Sequence, residues 1–214
     1  MTRKERAEKF CEILKQLYPD AICSLNYSNP LELLIATQLS AQCTDARVNI
    51  VTESLFEKYP DVYAFANASQ KELEKDIHSI GFYHNKAKNV INCCRKIIDN
   101  FDGEVPDTME ELLTLDGVGR KTANLVLGDL FGKGGMVIDT HAKRILYRVG
   151  LTKETEPVRV EKDTEKLLPR SAHSDFCHRL VLHGRALCTA RNPKCSECPA
   201  NTVCKTGSIY LKAK

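Results

Sequence analysis

Residues 188–204 read CTARNPKCSECPANTVC and place four cysteines at the spacing C-x6-C-x2-C-x5-C: Cys188, Cys195, Cys198 and Cys204. Four thiols on one short loop can surround a compact metal centre, and such a loop folds around its metal. Structural zinc sites more often repeat the C-x2-C pair, which occurs only once here, so the spacing favours a 4Fe-4S cluster with zinc as the alternative. Structural or disulfide cysteines are the third interpretation, which the polar neighbours Pro193, Lys194 and Lys205 disfavour.

The composition is that of a globular protein. The chain has 214 residues, of which 43% are hydrophobic, enough for one large or two small domains. No apolar run approaches the length of a bilayer span, and the charged N-terminus MTRKERAEK predicts a helix start rather than a signal peptide. We therefore expect a protein of the reducing cytoplasm, where thiols stay available as ligands.

The net charge of +3 is unevenly distributed along the chain. Residues 1–22 and 135–214 together carry a net charge of +8, whereas residues 23–134 carry −5. If the two basic ends fold together, they form a surface suited to a polyanion such as nucleic acid. An ordinary solvated charge pattern is the alternative that charge alone leaves open.

Between the chain ends, apolar residues recur at helical spacing and strand patterns are scarce. Three sequence signals predict helix starts: Pro30, Thr44 and the Ser-x-x-Glu pattern that begins at Ser69. Two predicted helices span 31–41 and 85–101. Three others begin after Thr44, after Ser69 with Glu72, and after Asp107 with Glu110. The sequence therefore predicts an all-α fold.

The segment LDGVGRKTA, residues 115–123, predicts a tight turn between two antiparallel helices. Gly117 and Gly119 flank Val118, and the bare backbone lets a phosphate approach the N-terminus of the second helix. A plain helical turn with glycine as a C-cap is the alternative. The following Arg120 and Lys121, the helical frame and the cysteine loop together favour contact with a DNA backbone.

Three segments and the cysteine spacing resemble the endonuclease III family of DNA glycosylases, in order and over nearly the whole chain: LDGVGRKTA at 115–123, VIDTH at 137–141 and LHGR at 182–185. The resemblance implies a two-domain helix-hairpin-helix glycosylase fold. A six-helix domain spans 23–134, with the helix-hairpin-helix motif at about 108–130. Residues 1–22 and 135–214 form an iron-sulfur domain whose cluster loop is 188–204.

The resemblance also implies the site residues. Lys121 is the expected nucleophile, Asp139 the second catalytic residue, and the four cysteines the ligands of the 4Fe-4S cluster. Each catalytic role has a non-catalytic alternative. Lys121 also suits a simple phosphate contact, and Asp139 also suits the N-cap of the helical pattern that follows it. His141 and His183 are expected to pack or to form hydrogen bonds rather than to act as acids or bases.

Removal of a base from duplex DNA requires its nucleotide to leave the stack. By resemblance, Gln42 in QLSAQCTD fills the resulting gap, and Phe82 in GFYHNKA is a second wedge at a position where the family often has leucine. The alternatives are that Phe82 is a core residue and that Gln42 is a polar residue at a helix end.

The expected DNA contacts are the hairpin and the basic residues of the C-terminal part: Gly117, Val118, Gly119, Arg120, Arg185, Arg191 and Lys194. Asp116 departs from the family, which commonly has proline there. Asp-Gly is acceptable turn chemistry, but a carboxylate beside a phosphate site disfavours binding unless cations compensate.

We therefore expect a monomeric bifunctional enzyme that excises oxidised pyrimidines from duplex DNA and nicks the strand by β-elimination. One alternative is a monofunctional glycosylase for adenine or a mismatched base, which Lys121 and the absence of a long C-terminal extension disfavour. Another is a non-catalytic helix-hairpin-helix module that binds DNA.

Overall fold

The computed structural model describes residues 1–212, with side chains as far as Ile209. All secondary structure in this part of the chain is helical, as the sequence predicts. The chain divides into two compact units, one of Cys23–Phe131 and one of Met1–Ile22 with Gly132–Lys214. Within residues 1–212, no helix is long and apolar enough to cross a membrane.

The central unit, Cys23–Phe131, contains seven helical segments within the described residues: α2 (Pro30–Leu39), α3 (Asp45–Lys58), α4 (Val62–Ala66), α5 (Gln70–Asp76), α6 (Tyr83–Phe101), α7 (Met109–Leu112) and α8 (Arg120–Phe131). The segment α7 is a single turn of four residues, and without it the count is six. Helix α6 packs against α2, α4 and α5, and α8 packs against α2 and α7. The pairing of α7 with α8 forms the helical hairpin.

Helix starts in the central unit follow local capping chemistry. The Thr44 hydroxyl accepts a hydrogen bond from the backbone N–H of Arg47 and caps α3, as predicted. Two predictions need correction. Ser69 precedes α5 without a side-chain capping bond, and the cap of α7 is Thr108, which accepts from the N–H of Glu111, rather than Asp107 with Glu110.

The second unit is built from both ends of the chain: α1 (Arg3–Leu17), α9 (Thr140–Val149), α10 (Pro157–Thr164), α11 (His173–Ala186) and α12 (Lys205–Lys212), with short 3-10 turns between α10 and α11 and before α12. A capping box of Thr2 and Glu5 starts α1. Helix α11 packs against α1 and α9, and α9 also packs against α12. Their apolar faces enclose a core that includes Phe10, Leu14 and Phe176.

Candidate functional site

The two glycines of the hairpin turn have different structural roles. Gly117 has φ +74°, and a Cβ there lies 2.7 Å from Gln38 Oε1 and 3.0 Å from Asn89 Cβ. Gly119 immediately precedes α8, and a Cβ there meets no heavy atom within 4 Å. The fold therefore requires glycine at position 117, whereas Gly119 leaves its backbone open to an approaching ligand.

Val118, between these glycines, is only 7% exposed and belongs to the core of the central unit. Its backbone N–H donates to the carbonyl of Leu115 at 3.2 Å, which closes the turn. The side chain of Val118 therefore anchors the turn in the core. Only the backbone of Val118 remains for the DNA contact that the sequence predicts.

Asp116 is paired within the central unit. Its carboxylate lies 2.8 Å from Nζ of Lys96 on α6, and Lys96 also donates to the carbonyl of Thr114 at 2.9 Å. This cation offsets the negative charge that the sequence places beside the hairpin. Lys96 was not among the cations that the sequence predicts near DNA, because its pairing with Asp116 depends on how α6 packs beside the turn.

Lys121 is an exposed residue in the first turn of α8. The N–H groups of that turn point out of the helix end and give it a partial positive charge, which attracts phosphate. Arg120 precedes it and is half-buried among other contacts. The structure thus presents the Lys121 amine at the surface, next to the open backbone of Gly119.

Asp139 is the N-cap of α9, the ordinary role that the sequence left open. Its Oδ1 accepts a hydrogen bond from the N–H of Ala142 at 2.7 Å, and the residue is half-buried. Within the described residues, its second oxygen, Oδ2, makes no hydrogen bond. Capping therefore fixes the orientation of the carboxylate while occupying one of its two oxygens.

The first turns of α9 also pack against the LHGR segment. The Arg144 guanidinium lies 3.1 Å from Nδ1 of His141 and donates to the carbonyl of Gly184 at 3.3 Å. A Cβ at Gly184 would collide with the His141 ring, so the close approach of α9 and α11 requires glycine. Burial lowers the pKa of His141, which keeps its imidazole neutral at neutral pH. His141 is thus a packing residue, as expected.

Two arginines of α9 hold the start of the cysteine loop. Arg144 donates through Nε and Nη2 to the carbonyl of Cys188 at 3.1 and 3.0 Å. Arg148 donates to the carbonyls of Thr189 and Ala190 at 2.6 and 2.7 Å. Neither arginine was predicted. Their spacing of four residues on the helix that follows Asp139 was the available signal, because it places both on one helical face.

The four thiols of the loop line one cavity with apolar neighbours from α1, from α9 and from the residue that follows α11: Phe10, Ile145, Val149 and Leu187. Burial is the main cause that raises the pKa of Cys195, Cys198 and Cys204, and the other cysteines of the loop raise it further. Mutual repulsion of this kind is what a bound cationic centre relieves.

The donor set fits an iron-sulfur cluster. Four sulfur ligands surround a shared apolar cavity, and none of the described side chains that line it is a carboxylate. Arg148 Nη1 lies 3.5 Å from Cys188 Sγ, where it can donate to a thiolate. Among the described residues, no group of three or more His, Cys, Asp or Glu side chains lies close enough together to hold a single metal ion.

His183 lies behind the thiols and is 2% exposed. Its Nε2 lies 3.7 Å from Cys198 Sγ, and its Nδ1 lies 3.3 Å from the Tyr18 hydroxyl. Burial lowers the pKa of His183 to about 4, so the ring is neutral at neutral pH. The residue packs edge-on against Phe10 and Tyr18, which agrees with its expected role in packing and hydrogen bonding.

Gln42 and Phe82 share two unusual features. Both side chains are exposed, Phe82 by 63%. Both residues adopt the left-handed backbone region, with φ of 55° and 60°. The exposure of Phe82 excludes the alternative that it is a core residue, and a left-handed conformation outside glycine is typical of functional sites.

Three basic residues of the second unit that the sequence predicts to contact DNA are exposed: Arg185, Arg191 and Lys194. The loop around Arg191 closes on itself, because the N–H of Lys194 donates to the carbonyl of Leu187 at 2.9 Å and the Thr189 hydroxyl donates to the carbonyl of Asn192 at 2.7 Å. This closure holds two cations at the surface of the cysteine loop.

Comparisons with known proteins match this arrangement along the chain. Residues 35–170 match the model of the HhH-GPD superfamily base excision DNA repair proteins, and residues 188–199 match the iron-sulfur binding domain of endonuclease III. The chain is 54% identical to endonuclease III of Synechocystis sp. over 204 residues, 95% of this chain and 93% of that protein. It is 43% identical to endonuclease III of Bacillus subtilis, over 93% and 92% of the two chains.

Among solved structures, a trapped endonuclease III–DNA covalent intermediate has a TM-score of 0.91 and 42% sequence identity with this chain. The match covers 99% of this chain and all of that one. A thermostable thymine-DNA glycosylase, at 23% identity and a TM-score of 0.87, shares the fold.

Proposed function

This chain belongs to the endonuclease III family of base excision DNA repair enzymes, which are DNA glycosylases and abasic-site lyases with a 4Fe-4S cluster, and from that premise we propose that Lys121 and Asp139 carry its chemistry. The observation that carries the proposal is the exposed Lys121 amine on the first turn of α8, beside the open backbone of Gly119. The covalent DNA intermediate trapped in a relative of 42% identity supports it.

Lys121 supplies the nucleophile. Its uncharged amine attacks the anomeric carbon, the bond to the damaged base breaks, and the base leaves with the bonding electrons and gains a proton. Opening of the sugar ring gives a protonated imine, which acidifies the neighbouring carbon. Loss of a proton from that carbon expels the 3′ phosphate by β-elimination, and water then releases the enzyme. One amine thus removes the base and nicks the strand.

Asp139 stabilises the positive charge that develops on the sugar as the base leaves. A carboxylate oriented before the reaction begins is effective because it needs no reorganisation in the transition state. The capping bond from Ala142 supplies that orientation, since it holds Oδ1 while Oδ2 makes no hydrogen bond within the described residues.

Gln42 and Phe82 fill the space that the extruded nucleotide leaves in the duplex. Their support is the combination of exposure and left-handed backbone in two adjacent segments. An aromatic side chain can unstack a base step as an aliphatic one does. Alanine at either position should impair cleavage of duplex DNA far more than cleavage of a single-stranded abasic site, which has little stacking to replace.

The cluster is held by Cys188, Cys195, Cys198 and Cys204 in this proposal. When bound, it cross-links the four thiolates and thereby orders the loop that carries Arg191 and Lys194. These two residues, with Arg185 and the hairpin backbone at 117–120, contact phosphates and position the duplex without reading its sequence.

The substrate in this proposal is duplex DNA that contains oxidised pyrimidines or abasic sites, and the protein acts as a monomer in the cytoplasm. The resemblance to endonuclease III supports this choice of lesion. The exposed Lys121 disfavours a monofunctional glycosylase, because such an enzyme activates water and needs no amine.

Two substrates separate the catalytic roles in single-turnover assays: a duplex with one oxidised pyrimidine and a duplex with one pre-formed abasic site. Lys121→Ala should lose strand cleavage on both. Asp139→Asn should lose base excision by about a hundredfold or more but retain much of its cleavage at the abasic site, where no sugar cation needs stabilisation.

Affinity for the abasic duplex is the control for both variants. Binding spread over many phosphate contacts should survive either change. Equal loss of the two reactions in Asp139→Asn, with affinity retained, would show that Asp139 does not act on the departing base.

A further inference from the structure

Lys86 is a buried lysine that the family resemblance did not single out. It lies in the first turn of α6 and is 7% exposed. The apolar face of α6 continues from it through Val90 and Ile97. A lysine on such a face is unusual, because burial of an ammonium group is costly unless it is hydrogen-bonded.

The bonds of Lys86 join two separate segments of the central unit. Its Nζ donates to the carbonyls of Leu39 and Ala41 at 2.9 and 2.7 Å. Its backbone N–H donates to the carbonyl of Phe82 at 3.1 Å. One residue is therefore bonded to Phe82 itself and to the residue immediately before Gln42.

The two segments also lie against each other at this point. A Cβ built at Gly81 is 4.0 Å from the carbonyl oxygen of Gln42. The left-handed backbone at Gln42 and Phe82 is strained for residues other than glycine and persists only where surrounding contacts impose it. The two side-chain bonds from Lys86 are contacts of that kind, since they fix the chain on the N-terminal side of Gln42 to the first turn of α6. The bond to the Phe82 carbonyl is the first backbone bond of α6 and places Phe82 directly at the start of the helix that carries Lys86.

Stability alone is a weak reason for a lysine at this place. Burial lowers the pKa of Lys86, which shows that its charged form is penalised there. The carbonyls of Leu39 and Ala41 lie at the C-terminal end of α2, where the helix dipole favours a cation and offsets part of this cost. A methionine would fill the same volume without the penalty, but it could not hold the two segments at a fixed spacing.

We propose that Lys86 is a positioning residue that fixes the spacing between Gln42 and Phe82, so that both side chains enter the duplex as one preformed wedge. This inference rests on the proposed roles of Gln42 and Phe82. Lys86 does not touch DNA in this account. Its effect reaches only the steps in which the duplex must be unstacked, and it leaves the chemistry of Lys121 unchanged.

The test compares strand cleavage at an abasic site in duplex DNA with cleavage at the same site in a single strand, under single-turnover conditions. Lys86→Met keeps the length of the side chain and removes its donors. We expect the duplex-to-single-strand rate ratio to fall by about tenfold to a hundredfold, as for other small displacements of positioned groups. Lys88→Met, at an exposed position of the same helix, is the matched control and should keep the wild-type ratio.

Unstacking is measured directly with 2-aminopurine placed beside the abasic site, whose fluorescence rises when its stacking is lost. Lys86→Met should bind the duplex but give a smaller rise than the wild type. A purely structural role would instead lower the midpoint of thermal unfolding and leave both the fluorescence rise and the rate ratio at wild-type values, which would overturn the inference.

Lys86→Arg decides the question if Lys86→Met does not fold. Arginine keeps the charge, but its longer planar group does not reproduce the two carbonyl bonds, so the ratio should still fall, by less than in Lys86→Met. A folded Lys86→Arg protein with the wild-type ratio would contradict the proposal.

Gln42→Ala and Phe82→Ala separate this inference from the function on which it rests. If they lose the duplex preference and a folded Lys86 variant keeps it, only the role of Lys86 is wrong. If Gln42→Ala and Phe82→Ala keep the wild-type ratio, the proposed wedge roles of Gln42 and Phe82 are wrong, and so is the inference about Lys86.

Discussion

The hairpin turn at 113–119 and the cysteine loop at 188–204 are both proposed to meet DNA phosphates, but they are held in different ways. Protein contacts fix the hairpin turn: Gly117 fits against Gln38 and Asn89, and Lys96 forms an ion pair with the Asp116 carboxylate and donates a hydrogen bond to the Thr114 carbonyl. In the cysteine loop, Arg144 and Arg148 hold Cys188 to Ala190 and Arg6 donates to the carbonyl of Val203, while the four thiols face a shared cavity.

This difference indicates which surface depends on the cofactor. A turn fixed by packing and hydrogen bonds keeps its shape as long as its helices are folded. A loop whose four sulfur ligands share one cavity can hold them there as thiolates only when a metal centre offsets their mutual repulsion. The hairpin, which carries Lys121, should therefore be independent of the cluster, whereas the placement of Arg191 and Lys194 should depend on it.

Removal of the cluster should produce the largest contrast between the two regions. After oxidation and chelation of the iron, we expect amide protection in 188–204 to fall by about two orders of magnitude or more, as for a segment released from a folded unit, while protection in 115–123 stays unchanged. Hydrogen exchange of the holo and apo proteins measures both regions at once. Equal loss in the two regions would contradict the separation.

The pair Gly117→Ala and Gly119→Ala tests whether packing determines the hairpin. Gly117→Ala should lower the free energy of unfolding by about 2–4 kcal/mol, because its left-handed backbone and its contact with Gln38 both exclude a Cβ. Gly119→Ala should change that free energy by less than about 0.5 kcal/mol, since its Cβ meets open space.

For DNA affinity, measured per folded molecule, the order of the two variants should be the opposite of their order in unfolding free energy. Folded Gly119→Ala should bind an abasic duplex about tenfold more weakly, because the methyl group occupies the path of a phosphate to the start of α8. Denaturant unfolding and fluorescence anisotropy measure the two quantities. Wild-type affinity in Gly119→Ala would remove the hairpin backbone from the proposed interface.

The smallest expected effect is that of a single cation on the cysteine loop. Lys194→Ala should weaken binding to all duplexes alike and reduce the slope of log affinity against log salt by about one unit. Lys166→Ala, an exposed lysine of the same unit, is the control. A changed preference among lesions with an unchanged salt slope would mean that Lys194 contacts bases.

The all-α fold could be predicted because its signals are local. Thr44 caps α3 through a bond to a residue three positions away, and the apolar spacing of 85–101 runs nearly the length of α6. Local signals also explain the error at α7. Two capping patterns, beginning at Asp107 and Thr108, overlap with an offset of one residue, and sequence spacing does not choose between them.

The contacts that shape the candidate site could not be predicted in the same way. Lys86 bonds a carbonyl 45 positions earlier in the chain, and Arg144 bonds one 44 positions later. Such pairs depend on how the helices pack, which side-chain periodicity does not encode. One signal was nevertheless present, because Lys86 interrupts the apolar face of α6 at helical spacing from Val90.

The most direct test of the central claim is to trap the covalent intermediate during turnover. Borohydride added to the protein with an abasic duplex should reduce the imine and leave the enzyme attached to DNA, and peptide mapping should place the adduct on Lys121. Lys121→Ala should give no adduct while retaining much of its affinity for the duplex. An adduct that maps to another residue, or base excision by the wild-type protein without any trapped species, would contradict the assignment.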